Sequence, residues 1–385
     1  MTAHPADRWS KTTFGRLARI GNGADYSSVE VEEGGYPVYG SGGEFRRASR
    51  YLFDGESVLF GRKGTVDRPL YVDGRFWTVD TMFYSVIDRS RLLPRFAYYW
   101  ATTLPFGAWA TDTALPSMTS TAIKAAPIAL PSVPEQRAIA DYLDRETAQI
   151  DAFIAKNEEL ITLLTERRAA SIDNAFEGLI ENPTRLKYRA SIQTGVTLGG
   201  DGDPVDPEWP YLRVANVQVG WVDLNEIKSI RLPEAKARQS MLRPGDVLMT
   251  EGGDRDKLGR GALWSGELDP MLHQNHVFAV RVGPRLDARF LMRWLDASPS
   301  RRYFETTAVQ TTNLASTNKT LVGNLPLPSC SVNAQLRLVT ELDLRLEKID
   351  EAVGIAEHSV RLARERRAAL ISAAVTGKID VGVAA

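Results

Sequence analysis

Side chains able to carry chemistry are sparse in this chain and rarely clustered. Of four histidines, only His273 and His276 stand close together, and no further ligand lies at a spacing that would complete a two-histidine metal site. They read as strand and turn residues. The run Asp223…Glu226-Ile-Lys228 has the carboxylate and lysine types of a metal-dependent nuclease, but no assured strand context to converge them. Gly61-Arg-Lys-Gly64 is glycine-rich and basic, yet lacks the spacing of a phosphate-binding P-loop. There is no Asn/Asp-Pro-Pro-aromatic motif of amino-methyltransferases and no GxGxxG. The single cysteine, Cys330, excludes an internal disulfide and a cysteine zinc cluster. A catalytic or metal site is therefore not expected.

The polar loops fit recognition better. Arg46, Arg47, Arg62 and Lys63 lie beside glycine turns and aromatic residues, with Tyr39 and Ser41 in the same region and Ser117 and Thr119 in a later polar segment, 111–121. Arginine can grip guanine edges with two parallel bonds, and glycine lets backbone approach a duplex. Further along, Arg213, Asn216, Lys257, Arg260, Asn275, Thr312 and Asn313 offer a comparable set, asparagine matching the edge of adenine. Taken singly, each reads first as a solvated surface residue and only second as a recognition residue. The two sets gain weight because they occupy corresponding regions of a duplicated frame.

The elements that must position these loops follow a repeat. From Pro131 to Ile180 apolar residues recur at steps of three and four, as in an amphipathic helix. Pro134 suits its first turn, and no Gly or Pro interrupts it before Gly178. Such a helix would be about 65 Å long, which points to a coiled coil. The stretch occurs twice: Gln136 matches Gln335, Asp151 matches Asp350, Glu166-Arg167-Arg168 matches Glu365-Arg366-Arg367, and Gly178 matches Gly377, all at an offset of 199 residues. Leu143, Ile150, Asn157 and Leu164 are seven apart, and Leu342, Ile349, Val353 and Val360 lie on seams of the second copy. These rows are expected to pack the helices antiparallel, with a pseudo-twofold axis and a globular unit at either end. Asn157 would sit in the seam, as an edge residue or as a polar device fixing register.

Each helix follows a globular unit of short strands and glycine turns. In the first, strands are predicted at 36–39, 57–60, 76–79 and 82–87, a helix at 94–103 and an apolar exit at 128–130. In the second, Trp209-Pro-Tyr-Leu-Arg-Val214, Gly245-Asp-Val-Leu248, Arg289-Phe-Leu-Met-Arg-Trp-Leu295 and Thr311–Thr317 take the same places. The division is 1–133, 134–180, 181–333 and 334–385. A net charge of −1 is uninformative by itself, and the acidity concentrates on the first long helix. Apolar runs are too short to span a bilayer and the N-terminus shows no secretory signal, so no membrane partner and a cytoplasmic location are expected.

The doubled helix, LPSVPEQRAIADYLDRETAQID with LLTERRAA and AQLRLVTELDLRLEKID with LARERRAA, resembles the specificity (S) subunit of Type I restriction-modification enzymes. So do WPYLRVANV at 209–217, GDVLMTEGG at 245–253 and HQNHVFAVR at 273–281. The resemblance implies an α+β fold: two α/β target recognition domains, separated by two long helices packed as an antiparallel coiled coil. Each domain would read half of a split, asymmetric site in double-stranded DNA. The helices would space the half-sites and dock two methyltransferase (M) subunits, with restriction (R) subunits completing the complex. The subunit would be noncatalytic and hold no cofactor, S-adenosylmethionine, ATP and Mg being expected on its partners. One departure is Ser331-Val-Asn-Ala, where the first helix has Val133-Pro-Glu. A coiled-coil adaptor that reads no DNA, a metal-dependent nuclease and a methylation-only specificity subunit are the alternatives.

Overall fold

The computed structural model describes residues 9–111, 116–199, 203–253, 258–310 and 315–381. The chain divides into two compact units, Met1–Glu158 with Glu357–Ala385, and Glu159–Ala356. Two 44-residue helices, Val133–Phe176 and Val332–Val375, are each shared between the units.

In the first unit a four-stranded antiparallel sheet has the order Ala18–Asn22, Met82–Ile87, Ser57–Gly61, Leu70–Val72. Ser57–Gly61 is buried along its whole length, as its run Ser-Val-Leu-Phe-Gly suggests for a central strand. The helix Pro94–Ala101 covers one face, burying Phe96, Tyr99 and Trp100 with Phe14 and Phe60 in one core. A second sheet of five short strands, Glu30–Val31, Gly43–Ala48, Tyr36–Gly40, Arg75–Thr78 and Phe53–Asp54, packs around Val38 and Phe76.

The second unit repeats this topology. Ala190–Thr194, Val277–Val282, Val247–Thr250 and Gly261–Leu263 form the four-stranded sheet in the same order. The helix Ala288–Asp296 covers it, and Trp294 donates its indole N–H to the Pro326 carbonyl (2.8 Å) as Trp100 does to that of Pro127 (3.2 Å). The parallel pair Tyr36–Gly40 with Arg75–Thr78 recurs as Glu208–Leu212 with Leu272–His273. Here that sheet has three strands where the first unit has five.

Each long helix begins at one buried glutamine. The Gln136 carbonyl oxygen accepts from the Leu93 N–H (2.7 Å), and its amide donates to the carbonyls of Arg91 and Pro131 (both 2.9 Å). Gln335 repeats the pattern with the Asp287 N–H (2.8 Å) and the carbonyls of Arg285 (3.3 Å) and Cys330 (3.1 Å). Leu93 and Asp287 are the N-caps of the two domain helices, whose free N–H groups need a partner once buried. Ser132 and Glu135 form a reciprocal capping box at the first long helix. At the second, Ser331 caps Ala334 without a carboxylate in return, which is the structural meaning of the sequence departure there. Both helices stop at glycines in the left-handed region, Gly178 (φ 76°) and Gly377 (φ 68°), where a side chain would be strained.

Within the first unit Ile139 and Leu143 pack with Ile371, Ala374 and Val375, while Asp151 meets Arg367 at 2.8 Å. The two helix segments are therefore antiparallel. In the second unit Ile172 and Phe176 pack with Val339, Leu342 and Leu346, and Arg168 meets Asp350 at 2.9 Å. These ion pairs are the same contact in the two repeats. Leu143, Ile150, Leu342, Ile349 and Val360 are buried as expected for seam residues, whereas Leu164 and Val353 are half-buried. Asn157 donates to the Phe153 carbonyl of its own helix (2.9 Å), and its counterpart Ala356 is buried.

Replacing Gln136 or Gln335 by alanine is expected to destabilise the chain by about 2–4 kcal/mol, because one buried N–H and two carbonyls lose their partners. Denaturant titration of each variant checks this, and a loss below about 0.5 kcal/mol would contradict it.

Candidate nucleic-acid interface

In the first unit the candidate residues fall into two groups joined by one turn. Tyr39 and Ser41 lie at the tip of the hairpin Tyr36–Gly40/Gly43–Ala48, and Arg46 and Arg47 on its second strand. Arg46 is paired with Glu30 (3.1 Å) and Arg47 with Glu44 (3.6 Å), all well exposed. Such pairs are weak in water and can be exchanged for a phosphate at little cost. Tyr39 packs edge-on to Phe76, and burial, then the nearby Glu44 carboxylate, raises its hydroxyl pKa, so it stays a neutral hydrogen-bonding group.

The second group is Arg62, Lys63 and Ser117. Lys63 and Ser117 face one another in an isolated bridge, Met118 N–H donates to the Arg62 carbonyl (2.9 Å), and Gly64 N–H to that of Pro116 (2.9 Å). Arg62 and Lys63 side chains are exposed; the Arg62 guanidinium lies 5.8 Å from the centre of the Phe83 ring and reaches the Asp80 carbonyl (3.3 Å). Val79 N–H donates to the Tyr39 carbonyl (3.1 Å), and the Thr81 carbonyl accepts from Arg62 N–H (2.8 Å). The turn 79–81 thus ties both groups to one edge of the unit. Thr119 stands apart in role: its hydroxyl caps the short helix Ser120–Ala125 by accepting from Ala122 N–H (3.3 Å).

The second unit uses its candidates differently. Asn216 is 3% exposed; its carbonyl oxygen accepts from Arg213 N–H (2.9 Å), and its amide donates to the carbonyls of Asp223 (2.9 Å) and Glu226 (3.0 Å). The side chain holds a loop together and presents nothing to solvent. Arg213 is engaged by Glu226, through its carboxylate and its carbonyl (both 3.3 Å). Asn275 is half-buried in a turn, its N–H donated to the Val196 carbonyl (2.8 Å). Arg260 lines a cavity described below. Lys257, Thr312 and Asn313 lie outside the described residues.

The remaining chemical candidates have structural roles. His273 is fully buried, its Nδ1 bonded to the Val277 carbonyl (2.6 Å), and burial lowers its pKa so that it stays neutral. His276 is exposed and meets Glu251 at 2.5 Å. Asp223 accepts from Asn225 N–H (3.0 Å) within its own loop. Among the described residues no three His, Cys, Asp or Glu side chains converge as metal ligands, and no helix is long and apolar enough to cross a membrane.

Sequence reading missed the exposed apolar side chains of the long helices as a surface. Phe153, Leu160 and Leu163 on the first, and Leu344, Ile355 and Leu362 on the second, are 44–62% exposed. In the first unit Phe153 and Leu362 flank a groove of about 430 Å³ with Ile150 and Ala363. The signal was present as apolar residues lying off the seven-residue rows.

Residues 7–162 match the family model of the Type I restriction modification DNA specificity domain. Over 204 residues the chain is 28% identical to the Type I restriction enzyme EcoKI specificity subunit of Escherichia coli (strain K12), which is 48% of this chain and 43% of that protein. The match therefore spans less than half the length of this relative. A chain from a structure concerning complex assembly and conformational transition of the type I R-M system aligns with a TM-score of 0.61 at 14% identity, covering 96% of this chain and 98% of that one. The HsdS subunit from Thermoanaerobacter tengcongensis aligns with a TM-score of 0.50 at 14% identity, covering 96% and 97%.

Asn216→Ala is expected to lower stability by about 2–3 kcal/mol through the loss of three buried bonds. Thermal melting checks it, and an unchanged melting temperature would return Asn216 to the list of free recognition residues.

Proposed function

From a chain whose residues 7–162 match the Type I DNA specificity domain, and whose fold resembles that of an HsdS subunit, we propose a DNA-reading, noncatalytic subunit of a restriction-modification complex. Each unit reads one half of a bipartite, asymmetric target in double-stranded DNA. One observation carries this reading: the specificity domain stands on a frame that the chain builds twice, with different loops on each copy. A shared frame with divergent loops suits two related sites for two different base sequences.

Contacts divide by chemistry. Arg46, Arg47 and Lys63 sit in exposed positions suited to phosphates, which fix orientation without carrying sequence information. Arg62, with its exposed guanidinium close to Phe83, is placed to test a base edge. Two half-sites read by one chain combine as an intramolecular pair, so affinity rises through effective concentration. The long helices, which run from one unit into the other, set the gap between half-sites.

Their exposed Phe153, Leu160, Leu163, Leu344, Ile355 and Leu362 are the docking surface for two methyltransferase subunits. The seam residues Leu143, Ile150, Leu342 and Ile349, expected to serve both the spacer and docking, are buried inside their own units, which suits the spacer role. Restriction subunits would complete the assembly, and S-adenosylmethionine, ATP and Mg would bind to partners.

Two outcomes are expected. Co-expression with the neighbouring methyltransferase subunit should methylate one split adenine motif genome-wide, and the motif should vanish when this chain is omitted. A soluble complex without new methylation would favour an adaptor role. Replacing Arg62 and Lys63 together by alanine should weaken binding to a target duplex and lower the slope of log K against log salt by about 1 per lost phosphate contact. An unchanged slope would remove Lys63 from the phosphates, and an unchanged affinity would remove both residues from the interface.

A further inference from the structure

The two copies differ sharply at one equivalent place. In the first unit Arg95 is enclosed by three rings, its guanidinium 4.7 Å from the centre of Tyr71 and 5.3 Å from those of Tyr98 and Tyr99. Arg95 Nε donates to Asp144 (2.7 Å), and so does the Tyr99 hydroxyl (2.6 Å). Burial, then that bond, pushes the Tyr99 pKa up to about 12. The place is full.

In the second unit Asp343 is the counterpart of Asp144 and Arg289 that of Arg95, but the tyrosines are gone. Leu263 stands for Tyr71, opposite Val247 as Tyr71 is opposite Val58. Met292 stands for Tyr98 and Arg293 for Tyr99. Arg293 takes Asp343 at 2.7 Å, leaving Arg289 at 3.9 Å from that carboxylate. The result is a cavity of about 550 Å³.

Four arginines line it: Arg168, Arg260, Arg289 and Arg293. Arg168 is bound to Asp350, and Arg293 to Asp343. Arg260 makes no ion pair among the described residues, and its Nε is buried without a hydrogen-bond partner. A guanidinium half-withdrawn from water with an unmatched N–H is costly unless an anion satisfies it. Arg260 and the loosely held Arg289 thus offer two sets of free donors suited to one phosphate group. Ile172, Leu263 and Met292 give an apolar floor, and Asp296, also lining the cavity, is an acceptor for a hydroxyl or amine. A lone carboxylate or inorganic ion would leave most of the volume empty, and about 300–1,000 Å³ is the range of small-molecule and cofactor sites in general.

We propose that this cavity of the second unit binds a nucleoside phosphate, with Arg260 and Arg289 on the phosphate and the base or sugar over Leu263 and Met292. This assignment takes Arg260 out of the DNA-reading set in which its sequence position had placed it.

The test titrates the 385-residue chain by calorimetry with each common nucleoside 5′-monophosphate, with inorganic phosphate and with a short DNA duplex. At least one monophosphate should bind saturably. Arg260→Ala should weaken it by about ten- to a hundredfold, the loss of one charged hydrogen-bonding group. Met292→Tyr, which restores the ring found in the first unit, should block it, while both variants keep the wild-type melting temperature. If Met292→Tyr fails to fold, Arg260→Ala decides alone. No saturable binding, binding unchanged in Arg260→Ala, or equal affinity for inorganic phosphate would overturn the proposal. So would binding of the duplex alone weakened by Arg260→Ala, which would assign the arginine to DNA.

Discussion

The buried glutamine at the start of each long helix is the constraint on which the rest of both units depends. A domain helix packed against a long helix buries its own N-terminal N–H, and that group has no intrahelical partner. A glutamine amide supplies one acceptor and two donors, which matches the one N–H and two carbonyls that converge there. Fixing that junction fixes the phase of the long helix. Its phase then decides that Ile139 and Leu143 face the first core, and that Val339 and Leu342 face the second.

From that junction the helix segments find their register by packing, with charge as a discriminator. Asp151 with Arg367 and Asp350 with Arg168 are partly exposed pairs, each worth about 0–1 kcal/mol. They cannot drive association, but a shifted register would leave arginine facing the wrong partner. The apolar seam supplies the larger share of the stabilisation. Apolar residues off the seam, Phe153, Leu160 and Leu163 among them, are left in solvent.

The duplicated frame separates what must stay from what is free to change. The four-stranded sheets share one order, and the tryptophan bonds to Pro127 and Pro326 are the same bond twice. Away from these, the second unit has a three-stranded sheet where the first has five strands, and an arginine-lined cavity where the first has three tyrosine rings around Arg95. A buried bond removed from the frame leaves unsatisfied groups, whereas an altered loop or filled hollow costs little.

The sequence by itself determined the two long helices, their 199-residue repeat, their glycine stops and the strands at 36–39, 57–60 and 82–87, because these depend on periodicity and local backbone preference. The match of Gln136 with Gln335 was visible as identity, but its reason was not, since two of the three partner groups of each lie more than forty residues away. The candidate loops were legible only as polar types near glycines. Tertiary structure decided that Asn216 is consumed by its own loop, that Arg62 stays open beside Phe83, and that Arg260 lines a cavity. Type and spacing say which bonds a side chain can make. Only the fold sets the distances that decide which of them it does make.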